Sequence, residues 1–153
     1  MTEHKDKITA LLLLKNNSLV SASLDSLIKV WNQKDENSFE CIATLDQSIE
    51  VSLALYGSSL LISGHIDGTI QIRNQTSFVL LQTLEDHSDD ILSIISLDNE
   101  NLAFGSFQEI MILQKVNETS FNLSKTLKVH NHWITSLVVR QIICLQVLLM
   151  TIQ

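Results

Sequence analysis

The stretch Leu19–Trp31, LVSASLDSLIKVW, decides the fold of this 153-residue chain. Side chains in its first half alternate between two faces, as they do in a β-strand. Asp25 and Ser26 interrupt the alternation, and the β-branched Ile28 and Val30 favour a second strand after them. Aspartate suits a tight turn because its carboxylate accepts hydrogen bonds from backbone N–H groups one or two residues on. The stretch therefore predicts two short strands joined by a tight turn.

The same pattern returns about 42 residues further along the chain. Ser63–Ile72, SGHIDGTIQI, aligns with Ser21–Val30, so that Asp67 takes the place of the first turn aspartate. A third copy, one residue shorter, spans Phe104–Ile112. Repetition at this length indicates a chain built of stacked units, each of which buries its apolar faces against its neighbours.

Each unit also has a predicted first strand and a predicted last strand. The first strands are expected at 8–14, 51–55, 91–97 and 134–139, and a histidine precedes three of them by four residues: His4, His87 and His130. The last strands begin with Phe and end in Thr-Leu: Phe39–Leu45, Phe78–Leu84 and Phe121–Leu127. Short strands, polar turns and no helical period predict an all-β fold with about three four-stranded antiparallel units plus one extra strand.

The unit boundaries follow from this spacing. The repeats are expected at about 4–45, 46–86 and 87–129, with a partial fourth at 130–139, so one repeat segment spans residues 4–139. Residues 140–153 depart from the pattern and form a separate tail.

These residues resemble the WD-repeat (WD40-type) family of β-propellers. In that family the turn aspartate, the histidine before the first strand, a hydroxyl of the second strand and a tryptophan of the third strand form a buried hydrogen-bond network. The resemblance implies a structural tetrad of His4, Ser23, Asp25 and Trp31, with Ser21 as the alternative hydroxyl. It also implies an incomplete propeller, since propellers have about four to eight blades.

The later repeats depart from the tetrad. The second repeat has Gln47 near the histidine position and Arg73 in place of the tryptophan. The third repeat keeps its histidine but has Gln108 in place of the aspartate and Leu113 in place of the tryptophan. The full set of four residue types is therefore expected once, in the first repeat.

The function that the resemblance implies is a protein–protein interaction scaffold, which binds peptides or domains of other proteins through its rim loops. The loop around His87, Asp89 and Asp90 is a possible contact for a basic partner segment, although a solvated loop has the same composition. Trp133 precedes the fourth first strand. It either packs under that blade or serves as an exposed aromatic anchor, a residue type enriched at interaction hot spots.

Catalysis, metals and cofactors are not expected. A propeller enzyme needs carboxylates or histidines that converge from the innermost strands, and the predicted first strands are almost wholly apolar, Ser or Thr. His4, Asp25 and Ser23 could be mistaken for a catalytic triad, but the repeat copies them in part in each unit. His130 and His132 have no carboxylate or cysteine beside them in sequence, which disfavours a metal site.

Bulk composition limits the partners and the compartment. The net charge of −7 disfavours nucleic acid and anionic membranes as partners. Cys41 and Cys144 lack metal-site spacing and are interpreted as reduced core thiols. With no apolar leader at the N-terminus, a cytoplasmic or nuclear location is expected. Open blade edges predict self-association, because unpaired strand edges template pairing.

The tail suggests a second interpretation of the chain. The spacing from His130 places the next turn aspartate at position 151. The codons of Met150 and Thr151, read one base out of frame, contain GAC, which encodes aspartate. The alternative hypothesis is therefore that the tail is out of frame and that the chain is a fragment of a disrupted or wrongly assembled longer WD-repeat gene, without independent function. Genomic sequence through this point tests it.

Overall fold

A computed structural model describes residues 3–46, 50–85, 87–97, 101–140 and 144–148. All regular secondary structure in these ranges is β-strand. Within them, no helix is long and apolar enough to cross a membrane.

The described strands form four antiparallel sheets, and strands that follow one another in the chain pair side by side. The first sheet contains β1 (Ile8–Leu13), β2 (Leu19–Ser23), β3 (Leu27–Asp35) and β4 (Ser38–Asp46). The second contains β5 (Glu50–Tyr56), β6 (Leu60–His65), β7 (Ile70–Asn74) and β8 (Leu80–Leu84). The third contains β9 (Ser93–Ser96), β10 (Asn101–Gly105), β11 (Phe107–Asn117) and β12 (Ser120–Trp133). The fourth contains β13 (Ser136–Arg140) and β14 (Cys144–Leu148).

The predicted all-β fold with three four-stranded units is confirmed, and it is an open, incomplete propeller. The fourth sheet differs from the prediction because it has two strands where one was expected. β14 lies in the tail and pairs with β13, with Val138 opposite Gln146. The apolar run that broke the repeat pattern is therefore still able to pair as a strand. Residues 141–143 and 149–153, including position 151, lie outside the described residues.

The turns between the second and third strands need a backbone conformation that few residues adopt. Ser26 and Gly68 occupy these turns in the first and second units, with φ of 65° and 84°. In the third unit Gln108, near the start of β11, has φ of 66°. Glycine takes this conformation at no steric cost, whereas other residues are strained in it. In the first unit the Asp25 carboxylate supports the turn, because the backbone N–H of Leu27 donates a 3.1 Å hydrogen bond to it.

The core lies between adjacent sheets rather than within any one of them. Val20, Ile28 and Val30 of the first sheet pack against Leu61 of the second in one apolar cluster. A second cluster joins the second and third sheets. A third cluster joins the third sheet to Ile134 and Leu137 of the fourth unit. Each sheet therefore depends on its neighbours for burial, as expected for a repeat fold.

The cysteines can be placed only in part. Cys41 is a free thiol on β4, the outermost strand of the first sheet, where it is half-buried. It was predicted to be a core thiol, and its outer-strand position is the reason that it is not. The side chain of Cys144 lies outside the described residues.

Candidate functional site

A continuous hydrogen-bond network connects four side chains of the first unit. His4 Nδ1 lies 2.9 Å from Asp25 Oδ2, and His4 Nε2 lies 2.7 Å from Ser21 Oγ. The indole N–H of Trp31 donates a 2.8 Å hydrogen bond to the same Ser21 Oγ. With the imidazole proton on Nδ1, the chain of donors runs from Trp31 to Ser21 to His4 to Asp25. Every polar atom of the network that is named here has a partner, which buried polar groups require.

The hydroxyl in this network belongs to Ser21 and not to Ser23, which was the predicted member of the tetrad. Ser23 Oγ instead donates to the carbonyl of Asp6 and accepts a hydrogen bond from the backbone N–H of Asp25, both at 3.2 Å. The two serines are two residues apart and point to the same face of β2. Ser21 is the serine next to Trp31, because it lies two residues further from the β2–β3 turn than Ser23 does.

The Asp25 carboxylate is held by several donors. Burial by itself raises the pKa of this carboxyl group, but the backbone N–H of Lys5 and the side chain of His4 outweigh it and leave the pKa below its usual value. The Lys5 N–H donates at 2.8 Å. The network thus ties the segment before β1 to the turn between β2 and β3, which is a structural role.

The second unit replaces this network with different contacts. Arg73 stands where the first unit has Trp31, and its guanidinium donates to the carbonyl of Phe78 and to the side-chain oxygen of Gln71, each at 3.0 Å. The turn carboxylate of Asp67 is exposed and accepts hydrogen bonds from the backbone and hydroxyl of Thr69. Gln47, the expected counterpart of His4, lies outside the described residues.

The third unit keeps the histidine but loses its polar partners. The strand register puts Phe104 where the first unit has Ser21, and Leu113 where it has Trp31. His87 contacts the edge of Phe104 with the ring centroids 6.3 Å apart. Its Nε2 is buried and has no hydrogen-bond partner among the described residues. The histidine of this unit is therefore not fixed by a carboxylate and a hydroxyl as His4 is.

A cavity of about 480 Å³ opens beside this histidine, at the rim between the second and third units. Its lining is mostly polar and includes the three carboxylates of Glu85, Asp89 and Glu109. The other lining residues are His87, Ser88, Phe107 and Gln108. The predicted contacts His87 and Asp89 therefore line one cavity. Asp90 is partly buried next to them in sequence but is not part of the lining. Asp86 lies outside the described residues.

Two aromatic side chains meet at the same rim. Phe107 lines the cavity, and its ring centroid lies 4.9 Å from that of Trp133. Trp133 was predicted to precede the first strand of the fourth unit. It does precede β13, which begins at Ser136, and it also ends β12 and pairs with Phe107 across the sheet. Phe107 was not among the predicted contacts. The available sequence signal was its alignment with Ile66 of the second repeat, an apolar residue directly before Asp67.

Negatively charged side chains outnumber positively charged ones around the cavity. Burial lowers the pKa of His87, and the nearby Glu109 and Asp89 oppose that effect without overcoming it. The imidazole is therefore neutral near pH 7 and adds no positive charge. Glu109 forms a 2.9 Å ion pair with Lys128, whose side chain is 80% exposed. Exposed ion pairs contribute little to stability, so a stronger cationic partner can replace this lysine.

A metal centre finds no support in the geometry of the described ranges, where no three His, Cys, Asp or Glu side chains are close enough together to hold an ion. His130 Nε2 is buried and has no hydrogen-bond partner among the residues that the structure describes. His132 lies against Phe107, with 6.4 Å between the ring centroids.

Comparisons with known proteins agree with this architecture. Residues 1–32 match the family model of the WD domain, G-beta repeat. No curated protein matches the sequence. Among solved structures, the chain is similar to the WD40 repeats of RRP9, with 21% identity and a TM-score of 0.76 over 88% of this chain and 42% of that one. It is also similar to the WD40 β-propeller domain of Doa1, with 21% identity and a TM-score of 0.78 over 94% of this chain and 48% of that one.

A third similar structure is the computationally designed Ika4 protein, with 21% identity and a TM-score of 0.76 over 97% of this chain and 94% of that one. The chain spans less than half the length of the RRP9 and Doa1 structures. At this level of identity the likeness shows the fold. Residues 1–32 thus match a WD repeat, and the chain has the fold of an open, incomplete β-propeller similar to the WD40 structures.

Proposed function

We propose that this chain is a protein–protein interaction scaffold that binds a basic segment of another protein at the rim of its third unit. The observation that carries the proposal is the 480 Å³ cavity with three carboxylates in its lining and an aromatic pair at its side. Among the similar structures is one of the Mitotic Checkpoint Complex, which shows a neighbour of the same fold within a protein assembly.

The chemistry of the rim favours arginine or lysine. Glu85, Asp89 and Glu109 supply acceptors for a guanidinium or an ammonium group, and charge-assisted hydrogen bonds are stronger than neutral ones. Phe107 and Trp133 supply ring faces that attract a cation. The net charge of −7 adds long-range attraction for a basic partner. A neutral His87 leaves this attraction intact, and Asp90 extends the acidic loop.

The same charges oppose nucleic acid and anionic membranes as partners, and we place the scaffold inside the cell, in the cytoplasm or nucleus. It needs no cofactor for this role. Partners would thus be other proteins that present a basic segment, with affinity that falls as salt screens the charges.

A labelled oligoarginine peptide tests this function, with fluorescence anisotropy at low salt as the measurement. The double variant Asp89→Asn/Glu109→Gln is expected to weaken binding by about tenfold, as is Trp133→Ala. The matched control is Glu36→Gln/Glu40→Gln, which removes the same charge from exposed positions in the first unit. We expect the control to stay within about twofold of wild type. If both double variants weaken binding equally, net charge alone explains the attraction and the rim site is wrong.

We further propose that the chain is not an enzyme, and one arrangement provides the test. Asp25, His4 and Ser21 have the order of contacts found in a catalytic triad. However, Ser21 is 2% exposed, and its oxygen already accepts the Trp31 N–H. A nucleophile must be accessible, so we expect no labelling by a fluorophosphonate probe. Labelling that Ser21→Ala abolishes would favour a hydrolase instead.

A further inference from the structure

The first sheet has one apolar face that the described part of the chain leaves open. This face, called the head face here, contains Leu11, Leu13 and Leu19. Leu11 and Leu13 are each 60% exposed, and the neighbouring Ile8 is 54% exposed. The opposite face of the same sheet is covered by the second unit.

The strand register identifies the counterparts of the head face in the second unit. Leu11 lies opposite Ser21 in the β1–β2 pair, just as Leu53 lies opposite Ser63 in the β5–β6 pair. The same register makes Leu55 the counterpart of Leu13, and Leu61 the counterpart of Leu19. These leucines pack against the first sheet, and Leu61 is 1% exposed.

The third unit repeats the arrangement. Its counterparts of Leu11 and Leu19 are Ile94 and Leu102, which pack against the second sheet in the largest apolar cluster. Leu102 is 1% exposed. The head face is therefore the third member of a set of equivalent surfaces, and the other two are covered by a neighbouring sheet.

Cavities at equivalent places show the same contrast. A cavity of about 170 Å³ adjoins the head face and is lined in part by His4, Ser21 and Trp31. The corresponding place in the third unit, beside His87, is filled by Ile70 and Leu84 of the second unit, which leave a cavity of only about 10 Å³. The head face thus lacks a sheet that its counterparts have.

The other end of the molecule offers the complementary surface. The first strands of the units pack in succession: β1 on β5, β5 on β9, and β9 on β13. On β13, Leu137 faces the third unit and is 7% exposed, whereas Val138 points to the opposite side and is 48% exposed. The free side of β13 is the side that every earlier first strand uses to cover the next unit.

We propose that a second copy of this chain docks head to tail, with the free side of β13 in one copy against the head face and β1 of the other. The contact continues the stacking that already joins the units within one chain. It buries exposed aliphatic side chains, which is the main source of favourable energy in such contacts. It differs from pairing through open strand edges, because side chains rather than backbone groups form the contact. It does not depend on the basic-segment site.

Light scattering after size-exclusion chromatography tests the proposal over about two orders of magnitude in protein concentration. Wild type is expected to shift from monomer to dimers or larger assemblies as concentration rises, because a head-to-tail contact can add further copies until it closes. Leu11→Asp and Val138→Asp are each expected to weaken association by at least about tenfold, because a buried carboxylate without a partner is costly. The control is Val116→Asp, a residue 58% exposed on β11 and outside both surfaces. Circular dichroism verifies that each variant is folded.

Mixing the two variants gives the decisive result. Leu11→Asp copies keep an intact β13, and Val138→Asp copies keep an intact head face, so their mixture is expected to associate more strongly than either alone. If Leu11→Asp disrupts association but Val138→Asp does not, two head faces meet and the head-to-tail contact is wrong. A monomer at all concentrations, or a Val116→Asp variant as defective as the others, also overturns it. Association should persist in high salt that abolishes oligoarginine binding, so the two proposals fail independently.

Discussion

His4 Nδ1 lies 2.9 Å from Oδ2 of Asp25, a carboxylate in the turn between the second and third strands. This contact connects the segment that precedes the first sheet to a turn within it. Both side chains are 6% exposed, so the pair lies largely out of water. A carboxylate in such a place needs donors, and this one accepts hydrogen bonds from the imidazole and from the backbone N–H groups of Lys5 and Leu27.

Removal of this carboxylate should be costly. We expect Asp25→Ala to lower the free energy of unfolding by about 1–3 kcal/mol, because its donors are left without an acceptor. Asp67→Ala and Gln108→Ala change the equivalent positions. Asp67 is exposed, and Gln108 donates a long hydrogen bond of 3.4 Å to the carbonyl of Asn131, so each change should cost less. Urea melts measure all three. Equal losses would show that the turn position, and not the network, determines the effect.

The low pKa of Asp25 predicts how this stabilisation depends on pH. A carboxyl group whose pKa is lowered by folding stabilises the protein above its unfolded pKa of about 4, and the stabilisation is lost as the pH falls through the lower folded value. The difference in unfolding free energy between wild type and Asp25→Asn should therefore shrink below about pH 4. Urea melts at a series of pH values test this, and a difference that stays constant would contradict it.

The two serines of β2 should differ in importance. Ser21→Ala leaves the Trp31 N–H and His4 Nε2 without their shared partner, so we expect a loss of about 1–3 kcal/mol. Ser23→Ala removes two longer hydrogen bonds, each 3.2 Å, and should cost less. Thermal melts of the two variants compare them directly. The reverse order would restore Ser23 as the hydroxyl of the network.

Alanine substitutions at two glycines distinguish the cost of backbone strain from the cost of a steric overlap. Gly57 and Gly68 both have positive φ, at 60° and 84°. A Cβ at Gly57 would meet nothing within 4 Å, whereas a Cβ at Gly68 would overlap the backbone carbonyl of His87. We expect Gly57→Ala to cost about 1 kcal/mol from strain alone. Gly68→Ala should cost clearly more and should also alter oligoarginine binding, because His87 lines the rim cavity. Equal costs in urea melts would mean that the loop of His87 gives way.

Much of the fold could be predicted from the sequence because the pattern of each strand recurs in several repeats. The hydroxyl of the network could not be chosen this way. Ser21 and Ser23 share one face of β2, and a period of two does not distinguish them. The choice depends on which serine lies beside Trp31, and that is a matter of register between strands. The same limit hid the Phe107–Trp133 contact, since β12 extends beyond its predicted end at Leu127.

The tail and the rim cavity show a second limit of prediction from sequence patterns. Residues 144–148 pair with β13 although they lack the repeat signature, because an apolar run can pair with any open strand edge. The acidic loop was recognised from its composition. The rim cavity was not, because it forms where that loop meets the start of β11, and this contact depends on how the two segments pack.

Each sheet consists of strands that follow one another directly along the chain. All the backbone pairing of a sheet can therefore form as soon as its last strand has left the ribosome, before the next unit has been synthesised. The apolar faces behave differently. In the second and third sheets, the face that meets the preceding sheet can pack as soon as the strands pair, whereas the opposite face stays open until the following sheet has been synthesised. During synthesis the newest sheet is thus paired but covered on one face only.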